Sequence, residues 1–140
     1  MPMKKSAIEK LLREPNVAVV AVTAPNGAPH AVPTWYEYRA GEVVFHTGPE
    51  AFKFKCLSND PRVTLVVDTR RPPYKCVILK GTVAMTEDTD DDLRLRRMAV
   101  SYLGKKNGEA YAKSLKGERL VIVRFKPDRV ISWDYGEEPP

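Results

Sequence analysis

The residues best able to do chemistry concentrate after a strand-like run that ends at His46-Thr47-Gly48, where Lys53, Lys55 and Cys56 follow. Pro49 suits a first helical position, Ala51 to Leu57 fits a short helix, and Asn59-Asp60-Pro61 stops it. A short helix that starts beside a sheet leaves several backbone N–H groups unpaired at its mouth, and a lysine in its first turns adds a positive charge on a flexible stem. That is the chemistry of a phosphate seat, with Lys53 as its cation. Glu50 works against it, because a carboxylate in the first turn competes for the same N–H groups. The bland alternative is a solvated helix with scattered lysines, and these residues alone leave both open.

Residues two apart on a helix do not share a face, so Lys53 is assigned to the anion and Lys55 to the rim or a partner. His30 and His46 lie in separate extended runs, with no Ser-His-Asp or metal-ligand spacing around either. Trp35 and Trp133 offer the aromatic surfaces that could cover a flat ring, although tryptophans buried in a core are commoner. Asp90-Asp91-Asp92 lacks the spacing of a calcium loop and reads as charge complementing a helix start. No catalytic residue and no metal site is identified.

These side chains must be positioned by one domain of 140 residues, with residues 1–5 and 135–140 expected to be flexible ends. Hydrophobic residues make up 43% and charged ones 29%, the balance of an ordinary folded domain. The net charge of +5, from 23 basic and 18 acidic residues, permits an anionic partner but is spread along the chain. Cys56 and Cys76 stand far apart with no CxxC neighbour, which points to reduced thiols and a cytoplasmic setting. No apolar run approaches membrane length, so no membrane partner is expected.

Ser6 and Glu9 form a capping-box pattern ahead of an apolar stripe of Ile8, Leu11 and Leu12, and Pro15 ends that helix. Asn16 to Thr23 reads as a buried strand, turned at Ala24-Pro25-Asn26-Gly27 into a second strand from Pro29 to Tyr38. Pro33 lacks a ladder donor and places that strand at an edge or a bulge. Further strands are expected over residues 42–47, 62–68, 74–86, 119–126 and 129–134, with a bulge or sharp bend at Gly81. A helix starting near Asp90 and closing at Gly104, with Arg94, Arg96 and Arg97 on its wet face, and another over 107–115 complete the set.

The order Gly27-Ala28-Pro29-His30-Ala31-Val32-Pro33-Thr34-Trp35-Tyr36, a strand ending at His46-Thr47, Lys53-Phe54-Lys55-Cys56-Leu57 before Asp60-Pro61-Arg62-Val63, and Pro73-Tyr74 leading to Lys80-Gly81-Thr82-Val83 resembles the pyridoxamine 5′-phosphate oxidase-like split-barrel flavoproteins. It is most similar to their short branch of flavin- and deazaflavin-dependent oxidoreductases. The likeness runs from about residue 8 to residue 134, and its specificity lies in the colinear set. The resemblance implies an α+β fold, a six-stranded antiparallel split β-barrel with peripheral helices, forming a homodimer with cofactor sites in grooves between subunits. It implies FMN or the deazaflavin coenzyme F420 as cofactor, with Pro33, Thr34 and Trp35 along the ring and Lys53 at the phosphate. His46, Thr47, Lys55 and, from the other subunit, Trp133 complete the expected cofactor-binding set. Cys56 stands where asparagine is common in the family. Val17 to Val22 carries no charge, so the arginine-rich phosphate strand of the true pyridoxamine phosphate oxidases is missing and pyridoxine phosphate is not the expected substrate.

A flavin or deazaflavin performs hydride transfer on its own ring and leaves the protein to bind, orient and tune it. The expected function is therefore hydride transfer to a small conjugated substrate. One alternative is a non-catalytic carrier of flavin or of a tetrapyrrole, heme or biliverdin, on the same barrel. Another is a single-stranded nucleic-acid-binding barrel presenting Tyr36 and Tyr38; it needs clustered positive charge, whereas acids and bases alternate along most elements here.

Overall fold

The structure, a computed structural model, describes residues 1–88 and 91–140. Its elements run α1 (Lys5–Arg13), β1 (Ala18–Thr23), β2 (Pro29–Thr34), β3 (Glu37–Arg39), β4 (Glu42–Thr47), α2 (Phe52–Asn59), β5 (Arg62–Asp68), β6 (Tyr74–Asp88), α3 (Asp92–Leu103), α4 (Lys105–Ser114), β7 (Leu120–Phe125) and β8 (Arg129–Gly136). All strand pairs are antiparallel and the sheet is not closed; its path is β2-β1-β5-β6-β7-β4-β3, with β8 also on β6. The α+β antiparallel architecture matches the expectation, with eight strands rather than six. The run from Pro29 to Tyr38 breaks at Trp35-Tyr36 into β2 and β3, which pair with different neighbours, β1 and β4.

The long strand β6 holds the two halves together. Up to Lys80 it pairs with β8 and up to Thr82 with β5, and from Val83 onward it pairs with β7. Gly81 sits at this change of partner. A Cβ there would lie 2.9 Å from the Phe125 ring and 3.3 Å from the Asp128 nitrogen, so only glycine lets the neighbouring chain approach this closely. The expected corner is thus a partner switch in which the sheet folds over its own core.

That core lies between the two halves and centres on Phe45, Phe125, Leu57, Leu65 and Leu79, all at most 1% exposed. Each such side chain contributes about 1.5–3 kcal/mol relative to exposure. Leu11 and Leu12 of α1 and Cys56 and Leu57 of α2 add to it. The Tyr36 hydroxyl donates to the Leu12 carbonyl at 2.9 Å and ties α1 to the corner between β2 and β3. The β1–β2 turn closes through Gly27 N–H to the Ala24 carbonyl at 2.8 Å, with Gly27 at φ +86°. Pro33 lies on β2, an edge strand, as its missing donor requires.

The starts of α1 and α2 differ from expectation. The helix α1 begins at Lys5, ahead of Ser6, because the Lys4 carbonyl accepts from Ala7 and Ile8 N–H at 3.0 Å; no side chain caps it. The helix α2 begins at Phe52, capped by the extended Ala51, so Pro49 and Glu50 precede it. The start proposed near Thr89 and Asp90 falls outside the described residues, and α3 runs from Asp92 to Gly104 as its C-cap. Residues 1–3 run beside β8, Met3 N–H donating to Ser132 Oγ at 2.9 Å and Asp134 N–H to the Met1 carbonyl at 2.7 Å.

Gly108 of α4 packs against α3 so closely that an added Cβ would overlap the Val100 backbone. Gly108→Ala is expected to lower the melting temperature by roughly 4–8 °C, the equivalent of about 2 kcal/mol of overpacking. Calorimetry reads this directly, and an unchanged melting temperature would mean that the two helices separate freely.

Candidate functional site

Strand β4 sends its side chains to two environments, because successive residues face opposite sides. Val43, Phe45 and Thr47 alternate with Val44 and His46, and their partners on β7 are Phe125, Val123 and Val121. On the core side, the Lys53 ammonium of α2 lies 5.3 Å from the centroid of the Phe45 ring. Lys53 has no carboxylate partner among the described residues. Burial pushes its pKa below the ordinary value, since the charged form loses water. The Thr47 hydroxyl is buried as well, and no group among the described residues bonds it.

The first turn of α2 carries no acidic residue and no side-chain cap. Glu50, expected to compete for its N–H groups, precedes the cap. The helix mouth, the Lys53 ammonium and the Thr47 hydroxyl thus each lack a partner among the described residues, and each is of a type that can meet an anionic oxygen.

The opposite side of β4 faces α3. His46 Nε2 lies 2.8 Å from Asp91 Oδ2, and Arg94 donates to both Asp91 oxygens at 2.9 and 2.8 Å. Arg97 grips Glu37 of β3 with two bonds of 2.9 and 2.8 Å, and Arg94 stands 3.6 Å from the same carboxylate. His46 Nδ1 is buried with no partner among the described residues. His46, a member of the expected cofactor-binding set, thus has its Nε2 committed to an ion network that fastens α3 to the sheet. The wet-face reading of the arginines is corrected in the same way: the side chains of Arg94 and Arg97 are 17% and 34% exposed and paired, while Arg96, 57% exposed, meets Glu109.

Trp35 occupies the corner between β2 and β3. Its indole stacks on Tyr102 of α3 with centroids 4.9 Å apart and planes 3° apart, and meets the edge of Tyr111 at 5.4 Å. The Tyr102 hydroxyl donates to the Asn16 carbonyl at 2.8 Å and accepts from Tyr36 N–H at 3.2 Å. The Thr34 hydroxyl donates to the Trp35 carbonyl at 3.0 Å. Pro33 is exposed and borders a cavity of about 630 Å³ between α1 and the β5–β6 loop. Lys55 is exposed. Trp133, 45% exposed, lies on β8 opposite Cys76, beyond β6 from the β2 edge.

Lys53 thus lies against the core side of β4, the side that also carries Thr47, while the His46–Asp91 pair faces α3 and Pro33 and Trp133 lie three strands apart on the outer face of the sheet. Sequence reasoning missed a row on the outer face of β2, β1, β5, β6 and β8. Pro33, Val19, Val66, Ile78 and Ile131 stand directly opposite one another in successive pairs, and none of them is buried. The signal was present in the alternation of each strand, but only pairing aligns it. Among the described residues no group of three His, Cys, Asp or Glu could hold a metal ion, and no helix is long and apolar enough to cross a membrane.

An antiparallel sheet that folds over its own core without closing, with helices at its periphery, is the architecture of a split barrel. The family model described as pyridoxamine 5′-phosphate oxidase matches residues 5–134, and the chain belongs to that family. Among solved structures, a conserved hypothetical protein from Mycobacterium tuberculosis is 23% identical with a TM-score of 0.74, covering 99% of this chain and 90% of its own. An F420 reductase is 21% identical with a TM-score of 0.70, covering 87% and 94%. An FAD-binding protein from Mesorhizobium loti is 21% identical with a TM-score of 0.68, covering 94% and 95%. At these identities the likeness is one of fold. No curated protein matches the sequence.

The ion network makes a pH prediction. Burial alone would raise the Glu37 carboxyl, but the Arg97 hydrogen bond and the charges of Arg97, Arg39 and Arg94 outweigh it and hold the pKa below the ordinary 4.5. A depressed folded pKa stabilises fully above about pH 4.5, and the gain is lost as pH falls through the folded value. Wild type is expected to exceed Glu37→Gln in urea midpoint at pH 7 and to converge with it at low pH. A constant gap across that range would exclude the ionised carboxylate as the source.

Proposed function

We propose that the protein is an oxidoreductase that binds a flavin-type cofactor, FMN or coenzyme F420, and passes hydride to a small conjugated substrate. The observation that carries this reading is the Lys53 ammonium, drawn from water against Phe45 with no carboxylate partner among the described residues. Such a group is costly until an anion arrives, and a phosphate also engages the helix mouth and the Thr47 hydroxyl. Family membership supports the same cofactor class. When bound, the cofactor supplies the hydride chemistry; the chain binds and orients it. Lys53 holds the acidic tail, and Pro33 to Trp35 line the ring, the indole held in place by Tyr102.

The active form is a homodimer built on the outer row. Five apolar side chains in register, with Trp133 beside them, form a face that a second copy of the same chain can cover. Pro33 ends that row, so the ring-lining edge falls at the rim of the interface, where a groove between subunits would open.

The purified protein is expected to show flavin or deazaflavin absorbance at about one cofactor per subunit. Lys53→Met is expected to weaken FMN binding by about tenfold or more while raising the melting temperature of the cofactor-free protein, because it removes a desolvated charge. Equal FMN affinity in titration would take Lys53 out of the site. For the interface, Ile131→Asp is expected to yield monomers in sedimentation, and a wild-type monomer at micromolar concentration would end the dimer reading.

A further inference from the structure

The cavity beside Pro33 is larger than the phosphate seat requires and is separate from it, since Lys53 does not line it. Its volume of about 630 Å³ falls in the range that encloses small organic molecules. Its chemistry is two-sided. Val17, Val19, Pro33 and Pro72 give it apolar walls, while Lys10 of α1, Arg71 of the β5–β6 loop and Lys75 of β6 supply cations from three elements. None of the three is ion-paired among the described residues. A fourth cation, Arg70, stands 3.6 Å from Asp68. Glu14 is the remaining carboxylate on the lining.

We propose that this cavity binds the substrate and selects for an apolar, planar molecule that carries a carboxylate. The proposal rests on the reading of Pro33 to Trp35 as the ring-lining segment, because Pro33 is the residue that segment and the cavity share. The apolar walls take the body of the ligand and the ring of cations takes its charge. The two anion seats are then divided between two molecules: Lys53 holds the tail of the cofactor, and Lys10, Arg71 and Lys75 hold the acid group of the substrate. Arginine suits a planar carboxylate because its two N–H groups can meet both oxygens at once. Glu14 opposes the same charge and limits the affinity for it.

The test is calorimetric titration of the purified full-length protein with a matched pair of probes, 4-nitrobenzoate and its methyl ester. The acid is expected to bind about tenfold more tightly than the ester, and raised salt should weaken the acid alone. Lys10→Ala with Arg71→Ala should abolish that preference, and Glu14→Gln should strengthen acid binding. FMN affinity should be unchanged in all of these variants, so a failure of the Lys53 site and a failure of this one are read separately. Equal binding of acid and ester, or acid binding indifferent to the double substitution, would overturn the proposal. Competition between FMN and 4-nitrobenzoate would also overturn it, by showing the cavity to be part of the cofactor's own seat.

Discussion

The close approach at Gly81 is the constraint on which the two-sided architecture turns. Without a Cβ, β6 can pass under the Phe125 ring and exchange β5 and β8 for β7 within a few residues. Any side chain there would have to displace an aromatic ring that is fully buried, and a packed core resists such a shift by about 1–3 kcal/mol. The exchange sets the two halves of the sheet face to face. Phe45 of one half then meets α2, whose Cys56 and Leu57 are buried with the core, and that contact holds Lys53 partly out of water.

Strand β4 shows how one short segment serves two purposes. Its core-side residues form the wall against which Lys53 loses hydration, and its outer residues anchor α3 through the His46, Asp91, Arg94, Arg97 and Glu37 network. The anchoring reaches the Pro33 to Trp35 segment through Tyr102, which sits on the same helix, stacks on Trp35 and bridges Asn16 and Tyr36. A paired ion cluster contributes little net stability when both partners are desolvated, but breaking one partner leaves a costly unpaired charge. Its structural value is therefore to fix where α3 sits, and so where the indole of Trp35 lies.

Local signals carried much of this fold. The Val-rich runs gave β1 and β5, Asn26-Gly27 gave the hairpin turn, and Gly104 gave the end of α3, because each depends on residues close together in the chain. The split of Pro29 to Tyr38 into β2 and β3 was not legible, since it depends on Tyr102 and Leu12 holding Tyr36 from other elements. The same holds for the site. Lys53 could be singled out from its place near a helix start, but the role of His46 depended on Asp91, a partner 45 residues away. Glu37 and Arg97, 60 residues apart, read as two solvated charges until β3 and α3 are brought together.

The outer row links the fold to the cavity beside Pro33 in a way no single strand reveals. Each member of Pro33, Val19, Val66, Ile78 and Ile131 is unremarkable alone, since scattered exposed apolar residues are normal. In register they make a band across five strands, the face assigned to the proposed subunit contact, where covering it would remove apolar area from water. Pro33 has no N–H to offer a further strand, so the band ends there without inviting edge pairing. The residue that stops the sheet is also the residue that opens onto the cavity with its cations from α1 and the β5–β6 loop. Termination of the sheet, the margin of the proposed subunit contact and access to the cavity are thus set by the same proline, and a residue with a free N–H at that position would alter all three together.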